Sequence, residues 1–185
     1  MNVTEFLKVC PTGVSAPVEL LDLLRFENLE GIENSRSSDF GLRPFGYEIA
    51  VHYFGDQELG QRFLVFGGDS GGGVYSFWLY EGRNLRNAPI VYFGSEGERF
   101  AVLANSIKDF FRLLMLGIEE VGYNAEVSNW QKFVSETPAI NGFREWAYER
   151  YGLSIPSNPI EIISSARGKH PDFEMWLIEK GGLRP

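Results

Sequence analysis

Five short runs rich in aromatic and β-branched residues, at 47–54, 62–66, 74–80, 90–93 and 99–104, follow one another through the middle of the chain. Each is bounded by Gly, Pro, Asn or Asp, the residues that end strands and start turns. A parallel crossover needs a dozen or more residues between strands, and these connections are shorter. The runs therefore predict an antiparallel meander and exclude a parallel nucleotide-binding sheet.

Helical patterns flank the meander. Ser15 can cap a helix over 17–26 whose first turn tolerates Pro17, with Val18, Leu20, Leu21, Leu23, Leu24 and Phe26 as its apolar stripe. The polar stretch 27–44, with Asn34, Ser35, Ser37, Ser38 and Asp39, has no period and reads as a loop or a partly formed strand. After the last strand Ser106 opens a helix with Asp109 three residues on, and Ile107, Phe110, Phe111, Leu114 and Met115 give it a face to lay on the sheet. Trp130, Phe133 and Val134 mark one further helix, and Ile140, Phe143, Ala147 and Tyr151 another. Pro156 and Pro159 punctuate the chain before Pro171 starts a last helix carrying Phe173, Trp176 and Leu177, which Gly181 and Gly182 stop. The expected fold is α+β: a twisted antiparallel sheet of about five or six strands packed against helices, with extra C-terminal helices. One domain is expected over residues 1–185, with 15–122 as its core and 123–185 as a helical extension packed on it.

Charge and cysteine usage narrow the partners. A net charge of -8 and a pI near 4.9 repel phosphate backbones and anionic membrane surfaces, so neither nucleic acid nor membrane is an expected partner. An acidic surface can instead steer a basic protein toward it. Cys10 is the single cysteine, which leaves no intrachain disulfide and no cysteine-based zinc site and favours a reducing, cytoplasmic setting. The N-terminal MNVTEFLKVC lacks the basic region and apolar stretch of an export signal. The most apolar segment, 110–118, contains Arg112 and falls short of the roughly 20 residues that a membrane span needs.

Gly68-Asp69-Ser70-Gly71-Gly72 matches the loop around the nucleophilic serine of chymotrypsin-like proteases. That chemistry also needs an imidazole base and an orienting carboxylate, delivered by a barrel for which the 69 residues before Ser70 leave no room. His52 is expected in a strand and His170 stands beside Pro171, so two histidines offer neither a relay nor a histidine-rich metal site. Gly67, Gly71, Gly72 and Gly73 read as backbone geometry, a turn or bulge between strands. No Lys follows them into a helix, so they form no phosphate cradle. Glu96 and Glu98, flanking Gly97, could serve as acid and base or as ligands for a hard cation, and as a solvated turn they need no such role. No cofactor and no metal are expected.

Four pieces of the chain carry a resemblance. They are Phe63-Leu64-Val65-Phe66-Gly67, then Gly71-Gly72-Gly73-Val74-Tyr75-Ser76-Phe77, then Pro89-Ile90-Val91-Tyr92-Phe93 with Glu96, and Ala104-Asn105-Ser106-Ile107-Lys108-Asp109-Phe110-Phe111. In order and spacing they resemble the SUKH superfamily, which groups bacterial immunity proteins that neutralise polymorphic toxins with fungal regulators of cell-wall assembly. The resemblance covers about a third of the chain and rests on glycines and apolar positions that specify a fold. Ser15-Ala16-Pro17-Val18-Glu19 departs from the family's Leu-Pro helix start, and the segment after Gly122 exceeds what a minimal member needs. The resemblance implies an α+β domain without a catalytic centre that binds a cognate protein toxin through a surface presented by its sheet. Asp69, Ser70, Glu96 and Glu98 are the expected partner-binding residues. Two alternatives stand beside it: a sensor of small molecules or peptides that uses the sheet as a pocket, and, more remotely, a serine hydrolase acting through Ser70.

Overall fold

Short connections force the central strands to pair with their sequence neighbours. The computed structural model describes residues 3–8, 14–29, 39–82, 84–97 and 99–183. Cys10, Glu98 and the 30–38 part of the expected loop lie outside the described residues. Within them the elements run α1 (Val3–Phe6), α2 (Val18–Leu29), β1 (Gly41–Gly46), α3 (Glu48–Phe54), α4 (Gln57–Gly60), β2 (Phe63–Gly68), β3 (Val74–Trp78), β4 (Ile90–Phe93) and β5 (Phe100–Ala104). The chain continues through α5 (Ile107–Leu114), α6 (Val121–Asn124), α7 (Pro138–Tyr151), α8 (Pro159–Arg167) and α9 (Phe173–Glu179). The five strands form one sheet in the order β1-β2-β3-β4-β5, every pair antiparallel, and the fold is α+β.

Both faces of this sheet are buried. On one face Leu64, Phe66, Tyr75, Phe77, Tyr92 and Leu103 pack with Leu20, Leu23 and Leu24 of α2, Phe110 and Phe111 of α5, and Ile140 and Phe143 of α7. On the other, Phe63, Val65, Trp78, Val91, Phe93 and Val102 pack with Ala50 of α3, Leu59 of α4, Ala166 of α8, and Phe173 and Leu177 of α9. Antiparallel sheets commonly leave one face wet and alternate apolar with polar residues. Phe63-Leu64-Val65-Phe66 and Ile90-Val91-Tyr92-Phe93 do not alternate, because odd and even positions are both inside. The expected recognition surface on the sheet is therefore corrected: helices cover the strands, and a partner can reach the ends of the sheet and the helices but not its faces. Residues beyond 123 supply core to both sides, through Phe143 and Ile163 on one and Phe173 and Leu177 on the other.

Four local expectations are revised. Residues 47–54, expected as a strand, form α3, which buries Ala50 and is closed by Gly55 at φ +65°, whose N–H donates to Val51 O at 2.9 Å. Packing of Ile49, Tyr53 and Phe54 against the second core outweighs the β preference of Ile49, Val51 and Tyr53. The strand beside β2 lies earlier, at β1, which overlaps the end of the stretch expected as a loop or partial strand. Its Pro44 cannot donate to a ladder, which only an edge position and the register shift between Leu42 and Gly46 allow. Pro159, expected as punctuation, is the first residue of α8, with Asn158 Oδ1 accepting from Ile160 N–H at 2.9 Å. The residues Trp130–Phe133 make a single 3-10 turn. By contrast, Ser106 caps α5 as expected, its Oγ accepting from Asp109 N–H at 3.2 Å.

α2 and α7 are tied by one carboxylate. Asp22, 8% exposed, accepts from Arg150 at 2.7 and 2.9 Å, from the Tyr151 hydroxyl at 2.9 Å and from Arg25 at 2.8 Å. Burial pushes the Asp22 pKa up, and the hydrogen bonds from Arg150, Tyr151 and Arg25 outweigh burial and hold it below the ordinary value. A depressed carboxylate adds stability that is present above its unfolded pKa and lost as the pH falls through the folded one. Asp22→Asn should accordingly lower the urea midpoint at pH 7, with the gap to wild type closing as the pH drops below 3.8. A gap that stays constant down to strong acid would mean that the Asp22 charge contributes nothing.

Candidate functional site

The meander brings three chain segments to one end of the sheet. Gly41 pairs with Gly68 and Val74 with Phe93, so the start of β1, the β2–β3 turn and the β4–β5 turn are neighbours there. The last two touch: a Cβ on Gly72 would lie 3.2 Å from Ser95 Cβ.

Asp69 builds the β2–β3 turn from within. Its Oδ1 accepts from Gly73 N–H at 2.8 Å and its Oδ2 from the Tyr75 hydroxyl at 3.2 Å, while its backbone N–H donates to Gly73 O at 3.1 Å. The side chain is 5% exposed, so among the expected binding residues Asp69 shapes the turn instead of facing solvent. Burial, and after it the Asp69 charge, raises the Tyr75 pKa well above the usual tyrosine value, which keeps the phenol a proton donor. The glycines serve the same geometry. Gly72 takes φ +89°, and Gly73 lies against the Tyr92 ring, which Gly122 also abuts, with an added Cβ there 2.5 Å from Tyr92 Cδ2. Gly67 leaves room for the Phe40 ring, and Gly71 lies at the surface beside Glu120.

Ser70 is exposed and its hydroxyl donates to Asp39 Oδ2 at 3.0 Å. Asp39 Oδ1 in turn accepts from Glu120 N–H at 3.0 Å, so one carboxylate joins the β2–β3 turn to the segment entering α6. His52 is exposed on α3, and His170 Nδ1 lies 2.8 Å from the Tyr80 hydroxyl. The imidazole that a serine nucleophile would need is thus replaced beside Ser70 by a carboxylate. Glu96 is exposed in the β4–β5 turn, which Tyr53 braces by donating its hydroxyl to Gly94 O. Glu98 lies outside the described residues. Of the expected binding residues the structure therefore brings Asp69, Ser70 and Glu96 to one end of the sheet.

Three acidic residues not expected from the sequence join them: Asp39, Glu119 and Glu120. Glu120 is the costly one. Its φ of +46° is a left-handed conformation that side chains other than glycine and asparagine rarely adopt. Its pKa is raised by desolvation first and then by the Asp39, Asp69 and Glu119 charges. The chain thus holds a carboxylate in a strained backbone among like charges, at a place where neutral residues would fold more easily. No local motif announces this, because Asp39 and Glu120 are 81 positions apart and meet through tertiary contact. Among the described residues no group of three or more His, Cys, Asp or Glu is arranged to hold a metal ion. No described helix is long and apolar enough to cross a membrane.

Fold and site together define an α+β domain with a sheet buried on both faces and a ring of carboxylates at one end. Compared with known proteins, the chain matches no family model, no curated protein and no solved structure.

Two outcomes test this geometry. Gly73→Ala drives a Cβ into the buried Tyr92 ring and should cost about 1–3 kcal/mol in urea denaturation; an unchanged midpoint would mean that the turn is not packed as described. A raised carboxylate favours the folded state below its unfolded pKa, and that contribution is lost as the pH rises through the folded value. Glu120→Gln should therefore melt higher than wild type at pH 7 and level with it near pH 4. Glu120→Gly, which also removes the left-handed strain, should gain about 1 kcal/mol.

Proposed function

We propose that this chain is a SUKH-type immunity protein, a non-catalytic cytoplasmic domain that neutralises a cognate protein toxin by direct binding at the acidic end of its sheet. The observation that carries the proposal is Glu120. A carboxylate kept in strained backbone beside Asp39, Asp69 and Glu119 destabilises the free protein, and a basic partner placed against it would offset that repulsion. The order of apolar strands and glycine turn by which the sequence resembles the superfamily supports the same reading. The turn that would face the partner is preformed: Asp69, Asp39 and the Tyr92 contact fix it before binding, so little conformational entropy is lost on association.

Binding is favoured over hydrolysis through Ser70 by the partner of its hydroxyl. Asp39 accepts that proton at 3.0 Å directly, with no imidazole hydrogen-bonded to the serine among the described residues.

The test starts from the reading frames beside this chain, one of which should encode a toxin domain. The purified proteins should form a tight complex by calorimetry and the toxin should lose its activity in it. Exposed Glu96 and Glu119 give the sharper probe, because they lie outside the β2–β3 turn that Asp69 builds. Glu96→Lys with Glu119→Lys should slow association and weaken binding about tenfold or more, with a smaller salt dependence than wild type. Full affinity in the double variant would remove this end of the sheet from the interface. A neighbouring reading frame without a toxin domain, or a toxin that stays active beside this chain, would refute the immunity reading itself.

A further inference from the structure

Beside edge strand β5 lies an open cavity of about 650 Å³, within the range of small-molecule sites. Arg99 at the entry to β5 and Arg167 in the last turn of α8 meet there on one carboxylate. Arg167 grips Glu126 with two nitrogens, at 2.7 and 2.8 Å, and Arg99 donates Nη2 to the same group. Arg99 is also anchored from behind, its Nε donating to Gly122 O at 2.5 Å and its guanidinium lying 5.7 Å from the Tyr123 ring centroid. Two fixed guanidinium groups thus share a single negative charge, which leaves one positive charge uncompensated in that part of the cavity.

The same cavity is lined by Asp172 and Glu174 at the start of α9, both exposed, and by Phe100 and Phe173. Asp172 uses Oδ1 to cap α9, accepting from Met175 N–H at 2.9 Å, and Glu174 makes no ion pair or hydrogen bond among the described residues. A simple anion would be repelled by these carboxylates and a simple cation by the arginines. A ligand with both charges and an apolar body satisfies both sets and covers the half-buried Phe100 ring.

We infer that this cavity binds a short zwitterionic peptide, with its carboxylate on Arg99 and Arg167, its ammonium on Asp172 and Glu174, and an apolar side chain against Phe100. The arginines are held by Glu126 and Gly122 whether or not a ligand is present, so the carboxylate end of the site is preorganised. The inference is independent of the toxin reading, since it uses a different surface and the isolated chain.

The test is calorimetry of the full chain against a panel of di- and tripeptides with free termini and an aromatic or branched residue, each matched by the same peptide acetylated and amidated. Free-ended peptides should bind saturably. Amidation alone should weaken them about tenfold, as loss of a bidentate charge-assisted contact does. Glu174→Gln removes an exposed group and should keep the wild-type melting temperature while weakening free peptides; Arg167→Gln, which also loses its pair with Glu126, should still fold cooperatively, weaken free peptides and be indifferent to amidation. Absence of saturable binding across the panel at millimolar peptide, equal binding of free and capped peptides, or full affinity in Arg167→Gln would each overturn the inference.

Discussion

The constraint on which the rest of this structure depends is the burial of an antiparallel sheet from both sides. Phe63 and Val65 look one way and Leu64 and Phe66 the other, and all four are fully inside. Each such side chain contributes roughly 1.5–3 kcal/mol only if something covers it, so the strands demand a helical layer on each face. α2, α5 and α7 meet that demand on one side, and α3, α4, α8 and α9 on the other. The edges are closed too, β1 by Pro44 and its register shift and β5 by α8 packed along it. With the faces covered and the edges protected, the exposed chemistry of the sheet is left to the turns at its ends and to the cavity beside β5.

That confinement accounts for the character of the acidic end. The β2–β3 turn is stiff because Asp69 is spent inside it, bonded to Gly73 and Tyr75, and because Gly73 and Gly122 leave no space around Tyr92. Burial raises the Glu120 pKa first, and because a stiff turn cannot relax to spread its charges, Asp39, Asp69 and Glu119 raise it further. Charges held in a rigid frame lose little conformational entropy on association, which is the physical basis of the binding proposed for this end. Tyr75 and Gly122 also join this end to the cavity by β5: the Gly122 N–H donates to the Tyr75 hydroxyl and its carbonyl accepts from Arg99.

Much of the meander was legible because β2, β3, β4 and β5 carry dense runs of aromatic and β-branched residues between turn residues, a pattern that few other structures accommodate. Ser106 and Asp109 marked the start of α5 for a similar reason, since capping is a local interaction. The errors share a cause as well. In α3, side chains that favour strands are made helical by tertiary contacts, Tyr53 with Phe93 and Phe100 and Phe54 with Phe63 and Phe93. In β1, Gly and Pro argue against a strand until its edge position is known. Asn158 and Pro159 offered a start signal for α8 that Pro156 obscured.

The sequence by itself determined the α+β class, the antiparallel pairing of consecutive strands and the turn at Gly71 to Gly73, because periodicity, connection length and backbone freedom act between near neighbours. Only the tertiary structure decided that both faces of the sheet would be covered, that Asp69 would turn inward while Ser70 and Glu96 face out, and that Asp39 and Glu120 would meet. Those outcomes depend on which surfaces remain after distant segments have packed, and no local stretch of residues carries that information.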